Sequence, residues 1–122
     1  MTVIMSNSAS EAEQLAFTLG EKVRLCTNLR EVRKVVDQDQ STKLVVVGSD
    51  LSMSAIRELM EVYRIPRPSL GIILIRRRID VATMNEAIQL GVREVVATDD
   101  SEGFIAACRR SIEISQKLQI SN

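Results

Sequence analysis

The chain has 122 residues, of which 45% are hydrophobic and 26% charged, and its 16 basic residues balance its 16 acidic ones. This size and composition predict one globular domain that folds without disulfides or a structural metal. The chain contains no His and no Trp, which excludes Ser-His or Cys-His catalysis and His-based metal sites. Because the net charge is zero, we expect no binding to nucleic acid through an overall positive charge of the molecule.

Two periodicities alternate along the chain, and they predict five strands and five helices. In chain order the predictions are a strand at Val3–Met5, a helix over Ser10–Leu19 ending at Gly20, a strand at Val23–Leu25, a helix over Asn28–Asp37, a strand at Leu44–Val47, a helix from Ser52 or Ser54 to Tyr63, a strand at Gly71–Ile75, a helix over Asp80–Leu90 before Gly91, a strand at Glu94–Val96 and a helix from the Asp99-Asp100-Ser101 cap region to Leu118. Ser, Asn and Asp before a helix and Gly after it are typical caps. The last residues, 117–122, are expected to begin a connector.

Five β-α units with short connections predict a three-layer α/β/α domain, because parallel strands require crossover helices. The third and fourth strands are continuously apolar, which is typical of strands buried on both faces. We expect a flavodoxin-like (CheY-like) parallel sheet with strand order 2-1-3-4-5 and a crevice at the carboxyl ends of strands one and three. One such domain, 1–122, accounts for the whole sequence.

Helical spacing predicts which side chains face the core. In the fourth helix Met84, Ala87, Ile88 and Gly91 form the inward stripe, which leaves Leu90 exposed. The predicted inward residues of the other helices are Leu29, Val32, Val35, Val36, Ile56, Leu59, Met60, Tyr63, Phe104, Ile105, Cys108, Ile112 and Ser115, and Phe17 is also expected to face inward.

The two cysteines, Cys26 and Cys108, each lie inside an apolar pattern and form no CxxC motif. We expect two reduced, buried thiols rather than a zinc or redox site. No apolar run approaches the roughly 20 residues that cross a bilayer, and the N-terminus lacks the order of a secretory signal. We therefore expect a cytoplasmic protein with no direct membrane insertion.

The segment from Ala87 to Val96 resembles the stretch between the fourth helix and fifth strand of the receiver domains of bacterial response regulators, and the resemblance of architecture spans nearly the whole chain. In that family two acidic residues after strand one hold Mg²⁺, an Asp ending strand three accepts a phosphoryl group, and a Thr or Ser and a Lys end strands four and five. The matching positions here hold Ser6 and Asn7, Gly48, Ile75 and Arg76, and Ala97, Thr98 and Asp99. The resemblance therefore implies a degenerate receiver with no catalytic residue, no metal and no cofactor.

Among degenerate receivers, the chain is similar to the N-terminal domain of the CpaE/TadZ proteins of Tad (Flp) pilus assembly. The residues that carry this similarity are Leu74–Asp80, Gly91–Val96 and Arg109–Ser111. In that family a ParA/MinD-like ATPase domain follows, and this chain contains no GxxxxGK[ST] phosphate loop of its own. The similarity implies a non-enzymatic protein-interaction and localisation module, with a C-terminal ATPase domain in the parent chain.

Two other functions stay open from the residues alone. Asp50 is an alternative phosphoacceptor in a working receiver of two-component signal transduction, although an Asp in this setting is more often a turn or capping residue. The hydroxyl-rich run from Ser6 to Ser10 opens a helix, where backbone amides can bind an anion or a nucleotide phosphate. Simple helix capping explains the same run.

Arg76, Arg77 and Arg78 are expected at the crevice end of strand four. They either pair with Asp50, Asp80, Asp99 or Asp100 or remain solvated. A further interpretation joins them with Leu90, Arg93 and Arg110 in a protein-interaction face built from helix four, strand five and helix five. On that interpretation the chain forms a two-fold homodimer in which Arg93 and Arg110 pair with Glu86, Glu94 or Glu113 of the partner.

Overall fold

The computed structural model describes residues 1–120, in which strands and helices alternate strictly. The elements are β1 (Thr2–Met5), α1 (Ala9–Leu19), β2 (Val23–Cys26), α2 (Leu29–Gln38), β3 (Leu44–Val47), α3 (Met53–Tyr63), β4 (Gly71–Arg76), α4 (Val81–Leu90), β5 (Glu94–Ala97) and α5 (Ser101–Ile120). The predicted elements are confirmed to within one or two residues at nearly every boundary. The segment expected to begin a connector is helical as far as residue 120, and residues 121 and 122 lie outside the described part.

The five strands form one parallel sheet with the order β2-β1-β3-β4-β5, which confirms the flavodoxin-like prediction. Met5 at the end of β1 pairs with Val47 at the end of β3. On the other side of β1, Met5 pairs with Cys26. Because these strands end level with one another, the residues that follow β1 and β3 meet at one edge of the sheet.

Local capping explains where the helices begin and end. The side chains of the N-cap residues accept hydrogen bonds from first-turn amides at Ser8, Asn28, Ser52 and Asp80. Gly20 and Gly91 end α1 and α4 in the left-handed conformation, with φ of 69° and 96°, where a Cβ would be strained. Asp100 accepts from the Gly103 amide at 2.9 Å and caps α5.

The sheet separates two cores. Val45, Val47, Ile72 and Leu74 face the side covered by α2, α3 and α4. The alternate residues of the same strands face the side covered by α1 and α5, where Phe104 and Cys108 are buried. Both cysteines are free and buried, as expected. No helix among residues 1–120 is long and apolar enough to cross a membrane.

The prediction for the inward face of α4 is wrong by about one position. Ala87 is fully buried and Leu90 packs against the core, whereas Ile88 is 63% exposed. Leu90 follows Ala87 by three residues and so shares its face, but Ile88 lies about 100° around the helix. The inward prediction is also wrong for Phe17, which is 87% exposed on α1.

Candidate functional site

The candidate site lies at the carboxyl ends of β1 and β3, where the sequence predicts the crevice. The Ser6 amide donates to the Cys26 carbonyl at 2.9 Å, and the Gly48 amide donates to the Met5 carbonyl at 2.8 Å. These two bonds hold Ser6 against Gly48, Ser49 and Asp50. Ser6 is buried, Ser49 is half-buried and Asp50 is exposed.

Glu11 of α1 reaches into this site, and the sequence analysis did not identify it. The Ser49 amide donates to Glu11 Oε1 at 2.8 Å, and the Ser49 hydroxyl donates to Glu11 Oε2. The Ser6 hydroxyl lies 3.4 Å from Glu11 Oε1 and 3.2 Å from Asp50 Oδ1, and its one proton serves one of these acceptors at a time. A carboxylate from α1 therefore joins the ends of two strands.

The spacing of Ser8 and Glu11 predicts a different role for this glutamate. An N-cap Ser followed three residues later by Glu is the pattern of a capping box, in which the Glu accepts from the N-cap amide. Here the Ser8 amide instead donates to Ser6 Oγ at 3.0 Å. Ser6 thus replaces the Glu in the cap, and Glu11 is free to bind Ser49.

Gly48 occupies the position at which the receiver resemblance places the phosphoacceptor. A Cβ at Gly48 would lie 2.8 Å from Ser6 Oγ and 2.9 Å from Ser6 Cβ, and closer still to Glu11 Oε1. Real side chains do not approach so closely. Because the Glu11 carboxylate passes this close to the end of β3 to reach Ser49, position 48 requires a glycine.

Arg76 brings a positive charge to the site from the end of β4. Its Nη1 donates to the Ser49 carbonyl at 3.2 Å, and its Nη2 lies 3.4 Å from Met53 Sδ. Burial lowers the pKa of the Arg76 guanidinium, while the carboxylates of Glu11, Glu86 and Asp50 act in the opposite direction. Arg76 stays charged without a direct ion pair to any described carboxylate.

The residues at this edge do not fit the Mg²⁺ site that receiver domains use. Within residues 1–120, no group of three or more acidic, Cys or His side chains is placed to hold a metal ion. Both Glu11 oxygens already accept from Ser49. Arg76 supplies a fixed cation beside the two carboxylates, so a divalent ion would meet like charge as well as incomplete ligands.

A cavity of about 230 Å³ lies beside the site, between the first turns of α1 and α5. Ser8 and Ser10 line it, as the anion-cradle interpretation requires, but so do Glu11, Asp50 and Asp100, against the single cation Arg77. The Ser8 hydroxyl accepts from the Glu11 amide at 3.3 Å. The hydroxyl-rich run therefore caps α1, and the charge of the cavity disfavours an anion.

The three consecutive arginines have different surroundings. Arg76 is half-buried in the site, while Arg77 and Arg78 are exposed. Asp80 accepts from the Thr83 amide at 2.8 Å, and the hydrogen bonds from Thr83, more than the nearby Arg78, lower the pKa of its carboxyl. Of the two alternatives for these arginines, pairing or solvation, an ion pair with Asp80 is not formed, because this carboxylate caps α4.

Arg93 does not belong to an exposed face, contrary to the prediction. Its Nη1 donates to the Ser111 carbonyl at 2.8 Å and to Ser115 Oγ at 2.7 Å, and its Nη2 donates to the Ser69 carbonyl at 3.1 Å. Gly71 provides the space, because a Cβ there would lie 2.6 Å from Nη1. The guanidinium thus turns inward and joins β5 to α5 and to the loop before β4.

Arg110 remains on the surface but already has a partner in its own chain. Its Nε and Nη2 donate to the two Glu94 oxygens at 3.0 and 2.5 Å, and the side chains are 57% and 26% exposed. An exposed pair of this kind contributes at most about 1 kcal/mol. With Leu90 half-buried and Arg93 turned inward, the predicted face loses two of the residues assigned to it.

Comparison with protein families and with curated protein sequences finds no match. Solved structures do match. A protein from Burkholderia pseudomallei described as pilus assembly-related has a TM-score of 0.76 at 18% identity, over 93% of this chain and 89% of its own. The signal receiver domain of a LuxO repressor protein from Vibrio parahaemolyticus has a TM-score of 0.83 at 9% identity, over 99% and 95%. The beryllofluoride-activated NtrC4 receiver domain dimer has a TM-score of 0.79 at 18% identity, over 93% and 97%.

These structures share one architecture with the chain. It has the CheY-like receiver fold, with the sheet order and the five helices of response-regulator receiver domains. Its fold is therefore that of a response-regulator-like module.

Proposed function

We propose that the chain is a receiver-like interaction and localisation module that is not phosphorylated and has no enzymatic activity. The observation that carries this proposal is the bond between Glu11 and Ser49, made over a glycine at the phosphoacceptor position. Gly48 offers no acceptor. Glu11 and Arg76 place a carboxylate and a guanidinium next to it, both bonded to Ser49.

The process in which the module acts is the assembly of a Tad (Flp) pilus in the cytoplasm, as in the CpaE/TadZ proteins, with a ParA/MinD-like ATPase domain elsewhere in the parent chain. Support comes from the motifs at Leu74–Asp80 and Gly91–Val96 and from the likeness in fold to the pilus assembly-related protein of Burkholderia pseudomallei. The two free, buried cysteines fit a reducing compartment. A phosphate-loop motif in the coding sequence that follows residue 122 would support this role.

Self-association through α4, β5 and α5 is the partner contact that this proposal includes. Val81 on α4 and Ile114 and Leu118 on α5 are 75%, 46% and 40% exposed, and they replace Leu90 as the apolar residues of the face. The NtrC4 receiver domain, which shares the fold, forms a dimer. A two-fold contact would bury these side chains reciprocally.

Treatment with acetyl phosphate and Mg²⁺ tests the central claim. The intact mass of the protein should stay unchanged, because Gly48 cannot accept a phosphoryl group and the metal ligands are incomplete. Asp50→Asn serves as the matched variant, since it removes the alternative acceptor at an exposed position. A stoichiometric adduct that this variant abolishes would contradict the proposal and establish a working receiver that uses Asp50.

A further inference from the structure

Two apolar side chains stand out from the surface on opposite layers of the domain. Phe17 on α1 is 87% exposed, and Ile65, just after α3, is 86% exposed. The α1 layer and the α3 layer cover opposite faces of the sheet. The two residues therefore cannot contact each other within one molecule.

A cleft lies between the C-terminal ends of α3 and α4, and Arg64, the residue before Ile65, is part of its lining. The cleft has a volume of about 300 Å³, and its lining includes Met60, Arg64, Arg67, Ile88, Leu90 and Arg93. Three arginines and no acidic residue line it. We call this feature the basic cleft; it combines apolar walls with positive charge.

Arg64 provides the positive charge of the basic cleft that has no partner among the described residues. It is exposed and makes no ion pair there. Arg67 donates to the Val36 and Thr42 carbonyls at 3.0 and 2.9 Å and is close enough to Asp39 for their charges to interact, while the Arg93 guanidinium turns inward to carbonyls and hydroxyls. Arg64 is therefore the guanidinium that a carboxylate of another molecule can reach.

The surface around Phe17 has the opposite character. Glu13 lies one turn before Phe17 on the same face of α1, and Glu21 follows the turn at Gly20. Both glutamates are exposed, and neither makes a hydrogen bond or an ion pair within the described part of the chain. We call Glu13, Phe17 and Glu21 the acidic knob.

We propose that the acidic knob of one molecule docks in the basic cleft of a second copy of this chain, in a head-to-tail contact. An apolar cavity of roughly 150 Å³ is enough to admit benzene, so the cleft has room for the ring of Phe17. Glu13 then approaches Arg64, and the apolar ring contacts Met60 and Ile88. The contact uses two different surfaces, so each added molecule presents a free knob and a free cleft, and the assembly grows beyond a dimer into a ring or a filament.

This contact is independent of the two-fold face, and the experiment separates the two. Sedimentation is measured over a wide concentration range in a Val81→Glu background, which disables the two-fold face. The average mass should continue to rise past the dimer. Phe17→Ser and Arg64→Glu should each weaken the association about tenfold or more, as expected for residues at the centre of an interface. Both positions are exposed, and circular dichroism checks that each variant is folded.

Mixing the two single variants gives the decisive result. The Phe17→Ser chain retains its cleft and the Arg64→Glu chain retains its knob, so a mixture should form 1:1 dimers that neither variant forms alone. Charge reversal of both partners, Glu13→Arg with Arg64→Glu in one chain, should restore long assemblies. Three results would overturn the proposal: a monomer at all concentrations, association that Phe17→Ser leaves unchanged, or a mixture that stays monomeric.

Discussion

The inward-facing Arg93 predicts a measurable loss of stability when its guanidinium is removed. We consider Arg93→Met, which retains most of the apolar stem. The change removes the donor to the Ser69 and Ser111 carbonyls and to the hydroxyls of Ser111 and Ser115. Both hydroxyls are fully buried, and the change takes this donor away from both.

The loss of unfolding free energy depends on which hydrogen-bond acceptors keep another partner after the substitution. The Ser115 hydroxyl still donates to the Lys43 carbonyl at 3.1 Å, whereas the Ser111 hydroxyl has no other bond among the described residues. A buried polar group without a partner costs about 1–3 kcal/mol, and removing a half-buried charge offsets part of the total. We expect a net loss of about 1–2 kcal/mol, which lowers the melting temperature by roughly 4–8 °C in a domain of this size.

Urea unfolding followed by circular dichroism measures the free energy directly. Arg109→Met is the matched control, because Arg109 is an exposed arginine on α5 without an ion pair among residues 1–120. Ser115→Ala combined with Arg93→Met should cost less than the sum of the single changes by about 1 kcal/mol, because the two side chains share a bond. If Arg93→Met were no more destabilising than Arg109→Met, the inward network would not contribute as described.

Three other outcomes follow from the structure. Gly48→Ala should destabilise the domain by about 1–3 kcal/mol, because its Cβ meets Ser6 and Glu11, and adding Glu11→Ala should recover part of this loss in urea titrations. Burial, together with Asp37, raises the pKa of Tyr63 from 10.0 to about 12. The neutral Tyr63 phenol therefore stabilises the fold fully below pH 10, and this contribution is lost as the pH rises toward 12. Tyr63→Phe should remove this decrease of the unfolding free energy at alkaline pH. In a Phe17→Ser background, Ile114→Glu should weaken a sedimenting dimer if α4, β5 and α5 form the two-fold face, and an unchanged dimer would count against that face.

Local chemistry explains why so much of the fold could be predicted from the sequence. Asn28, Asp80 and Gly91 set helix ends through bonds to residues within one turn, so their types alone indicate the boundaries. The continuously apolar runs of β3 and β4 indicate the centre of the sheet. Five β-α units in a chain of this length then favour the flavodoxin-like strand order, and right-handed crossovers place helices on both faces.

The orientation of α4 depended on packing that the sequence does not specify. Met84, Ala87, Ile88 and Leu90 fit more than one stripe at helical spacing. Ala87 belongs to either stripe and is fully buried, and the structure differs from the prediction in packing Leu90 rather than Ile88 beside it. A short helix with several apolar residues leaves this choice to tertiary contacts.

The sequence predicted where the site lies, but not which of its side chains bind one another. Alignment of strand ends located Ser6, Gly48 and Arg76, because the order of elements determines where these residues lie. The role of Glu11 depends on a contact to Ser49, which is 38 residues away in sequence. No local pattern reports such a contact, although a glycine after a buried strand indicates that something passes close to the backbone.

The close approach of Glu11 to Gly48 also bears on how this chain could change over evolution. An Asp at position 48 alone would collide with Ser6 and Glu11, and loss of Glu11 alone would leave the Ser49 amide and hydroxyl without their acceptor. Each single step is therefore less stable than the present pair, and a phosphorylatable site requires both changes together with new metal ligands after β1. Selection for stability acts against every intermediate on that path. The pairing of Gly48 with Glu11 is in this sense self-maintaining, and on the function proposed here the descendants of this domain should diversify their binding surfaces more readily than they acquire a phosphoacceptor at position 48.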